Sequence, residues 1–118
     1  MKLNTDERIN LLSICKFWLV NMQGDYVSLK VVNDFIDSIG FTQEEIDRLQ
    51  FEVSLKGTSW NRKADRQKEV KVVNRIREII KEELRKYDRA GQLNFLQHFN
   101  LCEKFGYQPE DKEILKER

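Results

Sequence analysis

The residues of this chain best suited to chemistry are its one histidine and its two cysteines. His98 and Cys102 are four positions apart and would share one face of a helix, and Cys15 could approach them from the first helix. Imidazole and thiolate are zinc ligands, so the three could form a metal site. No fourth ligand and no cysteine-rich loop accompanies them, and a lone histidine on a helix is seldom a general base. We therefore predict no metal site and two reduced, buried thiols.

Acidic side chains are the second group that could do chemistry. Glu44, Glu45 and Asp47 are close enough in sequence to pair, but the helix dipole alone favours carboxylates at a helix N-terminus. The sequence has no glycine-rich phosphate loop, no nucleophile elbow and no zinc-ligand spacing. We predict that the protein is not an enzyme and holds no cofactor.

A basic segment in the middle of the chain is the strongest local signal. Residues 51–89 carry twelve basic and seven acidic side chains, a net charge of +5, whereas residues 1–50 and 90–118 have net charges of −3 and −1. Six cations surround Trp60: Lys56, Arg62, Lys63, Arg66, Lys68 and Lys71. Such a segment suits a phosphate backbone or an acidic protein face, and the alternative is a solvated face that only maintains solubility.

Trp60 itself has two interpretations. A tryptophan just after a strand commonly closes the edge of the core, whereas an exposed tryptophan beside arginine is typical of an interface hot spot. On the second interpretation the partner-binding residues are Trp60, Arg62, Lys63, Arg66 and Lys68. We expect a macromolecular partner, with protein favoured over nucleic acid.

Helical periodicity predicts a long first helix. Asn4 and Glu7 form a capping-box pattern at its start. Its main apolar stripe is Leu11, Leu12, Cys15, Trp18, Leu19 and Met22, and further apolar residues extend well beyond that stripe. Such a helix is central or faces a partner, so a homodimer through Phe17 and Val20 is a further expectation.

Two more helices follow before residue 51. Ser28 is expected to cap the second, and Gly40 to end it in the left-handed conformation. Thr42 and Glu45 form a capping box for a short third helix over about residues 43–50.

The period then changes from helical to alternating. Phe51, Val53 and Leu55 alternate with polar residues, which predicts a half-buried strand. A long basic arm and a returning strand at Val70 and Val72 would complete a hairpin. The alternative is one helix across residues 64–88, which contain no glycine or proline.

Two helices complete the predicted fold. Asn74 is expected to cap the first, about residues 75–89, and Gly106 to end the second, about residues 93–105. The fold class is therefore mainly α (α+β), with three N-terminal helices, a β-hairpin with a long basic arm, and two C-terminal helices. We expect one globular domain over residues 1–107 and a charged, frayed tail over residues 108–118.

This order of elements fits a winged helix, whose third helix enters the major groove of DNA. Here that helix would bring Glu44, Glu45 and Asp47 towards the phosphates, which weakens binding. A contact through the arm alone, with Trp60 stacked on a base or sugar, stays open. A winged-helix-like nucleic-acid-binding protein is thus the alternative function.

Membrane insertion is not expected. No apolar run approaches the roughly 18 residues that a membrane span needs, and residues 1–10 lack the apolar region of a signal peptide. We expect no membrane partner and a cytoplasmic location.

The second half of the chain contains a further pattern. The pattern begins with Trp60, Lys63, Ala64, Asp65 and Lys68, and a helix ending in Tyr87 and Asp88 follows. It ends with Gly91, Leu93, His98, Leu101, Glu103, Lys104 and Phe105. With these residues the chain resembles a group of small uncharacterised bacteriophage and prophage proteins. The resemblance implies a small phage accessory protein in the host cytoplasm, and it assigns no functional residue. We predict a non-catalytic interaction protein that docks its basic, aromatic hairpin arm on a macromolecular partner.

Overall fold

The computed structural model describes residues 1–21 and 24–109. Within these ranges the protein is mainly helical with two small antiparallel sheets, which confirms the predicted fold class. The helices are α1 (Thr5–Asn21), α2 (Tyr26–Ile39), α3 (Gln43–Leu49), α4 (Asn74–Arg89) and α5 (Asn100–Phe105). The strands are β1 (Lys2–Leu3), β2 (Glu52–Ser54), β3 (Gly57–Ser59) and β4 (Lys68–Glu69). A 3-10 turn, Arg62–Ala64, follows β3, and a π-helical turn, Phe95–Phe99, precedes α5.

The start of α1 has the predicted capping box. The Asn4 side-chain oxygen accepts a hydrogen bond from the Glu7 backbone N–H at 2.8 Å, and the Glu7 carboxylate accepts one from the Asn4 N–H at 2.9 Å. These two bonds satisfy amides that the first turn leaves without helical partners. Met22, which belongs to the predicted stripe, lies outside the described residues.

Gly40 ends α2 as predicted, but the predicted cap at Ser28 and the predicted left-handed conformation of Gly40 are wrong. The N-cap is Asp25, whose carboxylate accepts from the Ser28 backbone N–H at 2.9 Å, and Ser28 lies buried inside the helix. A carboxylate one turn earlier takes the capping role, since it accepts from both the amide and the hydroxyl of Ser28. Gly40 is extended, with φ −67° and ψ 167°, and the left-handed residue is Gln50 at the end of α3. The capping box at the start of α3 is confirmed.

The return strand predicted at Val70 and Val72 is wrong in position and in partner, since β4 is Lys68–Glu69 and neither valine lies in a strand. β2 pairs with β3 in a tight hairpin, with Val53 opposite Thr58. β4 pairs instead with the N-terminal β1, with Leu3 opposite Lys68. A return strand against residues 51–56 is therefore wrong, because the fully buried Leu3 brings β1 to that position.

α4 begins at Asn74, so the alternative of one helix across residues 64–88 is wrong. Residues 70–73 form no helix, in agreement with the low helix propensity of β-branched valines. The N-cap is Val73 and has no side-chain capping bond, which also makes the predicted cap at Asn74 wrong. Gly106 ends α5 in the left-handed conformation, with φ 68°, as predicted.

One hydrophobic cluster joins these elements. It includes Leu3, Leu11, Ile14, Trp18, Val32, Phe35, Ile39, Ile76, Ile80, Leu84, Leu101 and Phe105. α1 packs on α2, α4, α5 and the π-helical turn, so it is the central helix, as its broad apolar character predicts. In residues 1–21 and 24–109 no helix has the length and apolar character to cross a membrane. Most of the predicted tail, residues 110–118, lies outside the described part of the chain.

Candidate interaction surface

The basic loop, which we define as residues 60–71, lies against the body of the protein and does not project as an arm. Asp65 accepts hydrogen bonds from the Thr5 hydroxyl at 2.6 Å and from its backbone N–H at 3.2 Å. At the start of the loop, the Asn61 N–H donates to the Leu49 carbonyl at 2.7 Å. At its end, β4 pairs with β1. The basic loop is therefore fixed to α1, α3 and β1.

Trp60 packs on this body. Its ring lies 6.0 Å from that of Phe51, which meets the ring of Phe41 edge-on at 5.2 Å. The Arg62 guanidinium lies 4.1 Å from the centre of the Trp60 ring. The indole N–H is buried without an acceptor among the described residues. Trp60 thus belongs to a small aromatic group with Phe51 and Phe41, apart from the main hydrophobic cluster, and is covered by Arg62, so it is not a fully exposed anchor.

Two of the five predicted partner-binding residues are held in ion pairs. The Arg62 guanidinium lies 2.7 Å from the Asp6 carboxylate, and the Lys68 ammonium lies 3.7 Å from that of Glu45. These contacts position the basic loop and neutralise part of its charge.

Besides Arg62, which is exposed but paired with Asp6, four cations in or beside the basic loop are exposed: Lys56, Lys63, Arg66 and Lys71. Within the described part of the chain none of them has an ion pair. Lys63 lies in the 3-10 turn, where its backbone N–H is bonded to the Asn61 side chain at 3.2 Å. The charge open to a partner is therefore carried by Lys63 and Arg66 from the predicted set, with Lys56 and Lys71 beside them.

A buried arginine that sequence reasoning missed connects α1 to the start of α3. Arg8 is 1% exposed, and its guanidinium binds both carboxylate oxygens of Glu45. It also donates to the carbonyls of Ile39 at 3.0 Å and Gly40 at 2.6 Å. The sequence did indicate that Arg8 faces the core, because Arg8 lies three positions before Leu11 and therefore on the buried face of α1.

Glu45 is the meeting point of this polar cluster. The hydrogen bond from Arg8 is the main cause that lowers the pKa of Glu45 to about 2, with the Thr42 amide and the charge of Lys68 contributing and burial opposing. Glu45 is thus ionised and fully engaged in joining α1, α3 and β4. It is not available for acid–base chemistry with a neighbouring carboxylate.

The hairpin exposes two apolar side chains that the sequence places in the core. Val53 is 84% exposed and Leu55 is fully exposed, while Phe51 alone of the alternating three is partly buried. Every residue of β2 and β3 is exposed. The prediction of a half-buried strand is therefore wrong. Alternation of apolar and polar residues indicates a strand, but it does not show whether another element covers the apolar face. Since Trp60 directly follows β3, the apolar tip leads straight into the basic loop.

α3 presents acidic side chains to solvent. Gln43, Glu44 and Asp47 are exposed, and Gln43 donates to Asp47 at 2.9 Å. Glu44 and Asp47 therefore place carboxylates on the surface that a winged helix would turn towards DNA.

The cysteines and histidine do not form a metal site. The described residues contain no group of three or more His, Cys, Asp or Glu side chains placed to hold a metal ion, and both thiols are free. Burial raises the pKa of Cys15 to about 12 and also raises that of Cys102, whereas burial lowers the pKa of His98. Near pH 7 the thiols are protonated, which makes them poor nucleophiles.

A second exposed apolar area lies at the C-terminal end of α1. Phe17 is 55% exposed and Val20 82% exposed, and Tyr26 and Val27 at the start of α2 are exposed as well. This is the face on which the sequence predicts self-association.

No protein-family model, no curated protein and no solved structure matches this chain. What the exposed surface binds has to be inferred from its own chemistry.

Proposed function

We propose that the protein is a non-catalytic interaction protein that docks its hairpin and basic loop on an acidic face of another protein. The observation that carries this proposal is the apolar pair Val53 and Leu55, exposed on a hairpin that leads directly into a loop with free cations. As the resemblance to phage proteins suggests, it would act as a small accessory protein in a host cytoplasm.

Apolar side chains at the centre and cations around them match the usual anatomy of a protein interface. Leu55 and Val53 would supply the desolvated centre. Lys63 and Arg66 would form the charged rim, which speeds association and selects an acidic partner. A phosphate backbone would gain nothing from the two apolar side chains.

The fixed position of the basic loop supports the same function. Asp65 ties the loop to Thr5, and Lys68 ties it to Glu45. A surface that is already ordered loses less conformational freedom on binding, which favours affinity. The ion pair of Arg62 with Asp6 makes Arg62 and the covered Trp60 supporting residues.

Quantitative affinity capture from a bacterial host lysate tests the proposal. The double variants Val53→Ser with Leu55→Ser, and Lys63→Ala with Arg66→Ala, should each reduce capture of the same protein at least about tenfold, since each removes interface anchors. A matched control is Lys30→Ala with Arg89→Ala, which removes one lysine and one arginine from α2 and α4. The proposal fails if both test variants capture every protein as well as the control does.

A winged-helix-like nucleic-acid binder is the second candidate. It is favoured by the order of α1, α2, α3 and the β2–β3 hairpin, together with the exposed Lys56 near the hairpin tip. Fluorescence anisotropy with double- and single-stranded DNA and RNA at two salt concentrations separates the two candidates. Binding that falls steeply with salt and is lost in Lys63→Ala with Arg66→Ala supports this second function, and no binding at low salt removes it.

A further inference from the structure

A pocket on the connection between α4 and α5 has no role in the interaction surface described above. It has a volume of about 240 Å³ and is lined by Leu93, Asn94, Phe95, His98, Phe99 and Cys102. The lining is apolar except for two polar side chains. Sites for drug-sized ligands are commonly larger, at roughly 300 to 1,000 Å³, so this pocket is of a size for a single side chain.

The pocket is built by a π-helical turn, Phe95–Phe99. Asn94 begins the turn, and its side-chain oxygen accepts from the backbone N–H groups of Leu96 at 2.9 Å and Gln97 at 3.1 Å. The Asn94 N–H itself donates to His98 Nδ1 at 2.8 Å. Single π-helical turns recur at functional sites, and this one fixes the position of an imidazole ring.

The imidazole carries a hydrogen-bond donor that nothing uses. Because Nδ1 of His98 accepts a hydrogen bond, the proton of the neutral ring is on Nε2. Nε2 has no hydrogen bond to any described residue, although His98 is only 8% exposed. The ring is held further by stacking on Tyr87, with 5.0 Å between the ring centres. Nε2 itself is not fully buried, so it reaches solvent in the free protein, and a ligand carbonyl can take the place of water there.

Two aromatic rings border the same pocket. Phe95 and Phe99 stack with their centres 4.9 Å apart, yet they remain 73% and 47% exposed. Such exposed aromatic area suits an apolar occupant.

We propose that this pocket receives one bulky aliphatic side chain of a partner polypeptide, and that a backbone carbonyl next to that side chain accepts from His98 Nε2–H. The apolar lining and the volume select the side chain. The single unpaired donor, Nε2–H, selects the amide carbonyl. This site does not depend on the basic loop, so either proposal can fail without the other.

The test uses two small probes on the whole protein: N-acetyl-leucine methylamide, and N-acetyl-glycine methylamide, which lacks the side chain. In ¹H–¹⁵N NMR titrations the leucine probe should give saturable shifts at Asn94, Phe95, His98 and Cys102, with a Kd of roughly 1 to 10 mM for a ligand of this size. The glycine probe should give none. Equal shifts from both probes, or no saturable shift from the leucine probe, overturns the proposal.

Substitutions in the pocket show which residues contribute to binding of the leucine probe. Phe95→Ala should weaken binding about fivefold or more, whereas Leu96→Ala, which removes an exposed neighbour outside the lining, should not. His98→Asn keeps an acceptor for the Asn94 amide and removes Nε2–H, so it should also weaken binding about fivefold. Should His98→Asn not fold, the ¹⁵N resonance of Nε2 in the unaltered protein replaces it. That resonance must move on addition of the leucine probe, and a resonance that stays in place contradicts the proposal.

Discussion

At the residue scale, the pair of Arg8 and Glu45 decides how α1 and α3 are joined. Arg8 is buried with its donors distributed over one carboxylate and two carbonyls. Removing one member of a buried ion pair leaves the other charged and without compensation, which is far more costly than losing an exposed pair. The polar cluster is therefore a structural requirement of the fold.

Glu45→Gln should lower the free energy of unfolding by about 3 kcal/mol at pH 7, since it leaves the Arg8 charge buried and uncompensated. Urea unfolding measures this change. Glu44→Gln is the matched control, because Glu44 is exposed next to Glu45 and should change stability by less than about 0.5 kcal/mol. Equal stabilities of the two variants would contradict the importance of the pair.

The pH dependence of the same pair has a definite sign. The pKa of Glu45 is lowered from 4.5 to about 2, so its contribution to stability is complete above pH 4.5 and is lost as pH falls towards 2. In that window the unfolding free energy of Glu45→Gln should depend less on pH than that of the unaltered protein. Parallel pH profiles would show that Arg8 does not hold the carboxylate ionised.

His98 gives a second pH window at higher pH. Burial lowers its pKa below the ordinary 6.5, and a proton on Nδ1 would remove the acceptor of the Asn94 amide. Its contribution to stability is therefore complete above pH 6.5 and falls as the pH drops through the lowered pKa. Direct NMR titration of the imidazole measures the pKa, and a value above 6.5 would contradict this account.

At the element scale, local signals located the helices of the described residues but not every helix cap, and they were insufficient for strand pairing. The capping boxes at Asn4 and Thr42 and the left-handed Gly106 were predicted, because each depends on residues within one turn. The pairing of β4 with β1 was not, because it joins residues more than sixty positions apart. The exposed Val53 also escaped prediction, since alternation does not reveal whether any element covers a strand.

The order of the basic loop depends on Asp65, which links it to the first turn of α1. Asp65→Ala should cost about 1 kcal/mol of stability and raise amide exchange across residues 61–66, since it removes two hydrogen bonds near a helix N-terminus. Hydrogen exchange followed by mass spectrometry measures both the loss of stability and the faster exchange of the loop amides. Asp37→Ala, at an exposed position of α2, is the control, and equal exchange in the two variants would mean that Asp65 does not order the loop.

At the scale of the whole molecule, the exposed apolar residues occupy separate elements. The hairpin, the π-helical turn and the end of α1 each expose some of them, and only the hairpin is followed by a basic loop. The net charge of the middle segment follows directly from the sequence. It did not predict that Arg62 and Lys68 would be paired within the protein, because ion-pair partners are set by the tertiary fold.

Self-association through α1 can be measured separately. A homodimer that buries Phe17 and Val20 predicts a mass of twice 14.2 kDa at high concentration, and Phe17→Ser with Val20→Ser should return it to 14.2 kDa. Sedimentation equilibrium measures the mass. A monomer at the highest concentration reached removes α1 as a dimer interface.

Site-specific photocrosslinking in living bacterial cells that express the protein tests the central claim most directly. A photoreactive benzophenone amino acid at Leu55 should form a covalent adduct with one acidic protein, and the adduct should disappear when Lys63→Ala and Arg66→Ala are added. The same amino acid at Asp37, exposed on α2, is the positional control for the hairpin surface. An adduct that does not depend on Lys63 and Arg66, or none at Leu55, would contradict docking through the hairpin and basic loop.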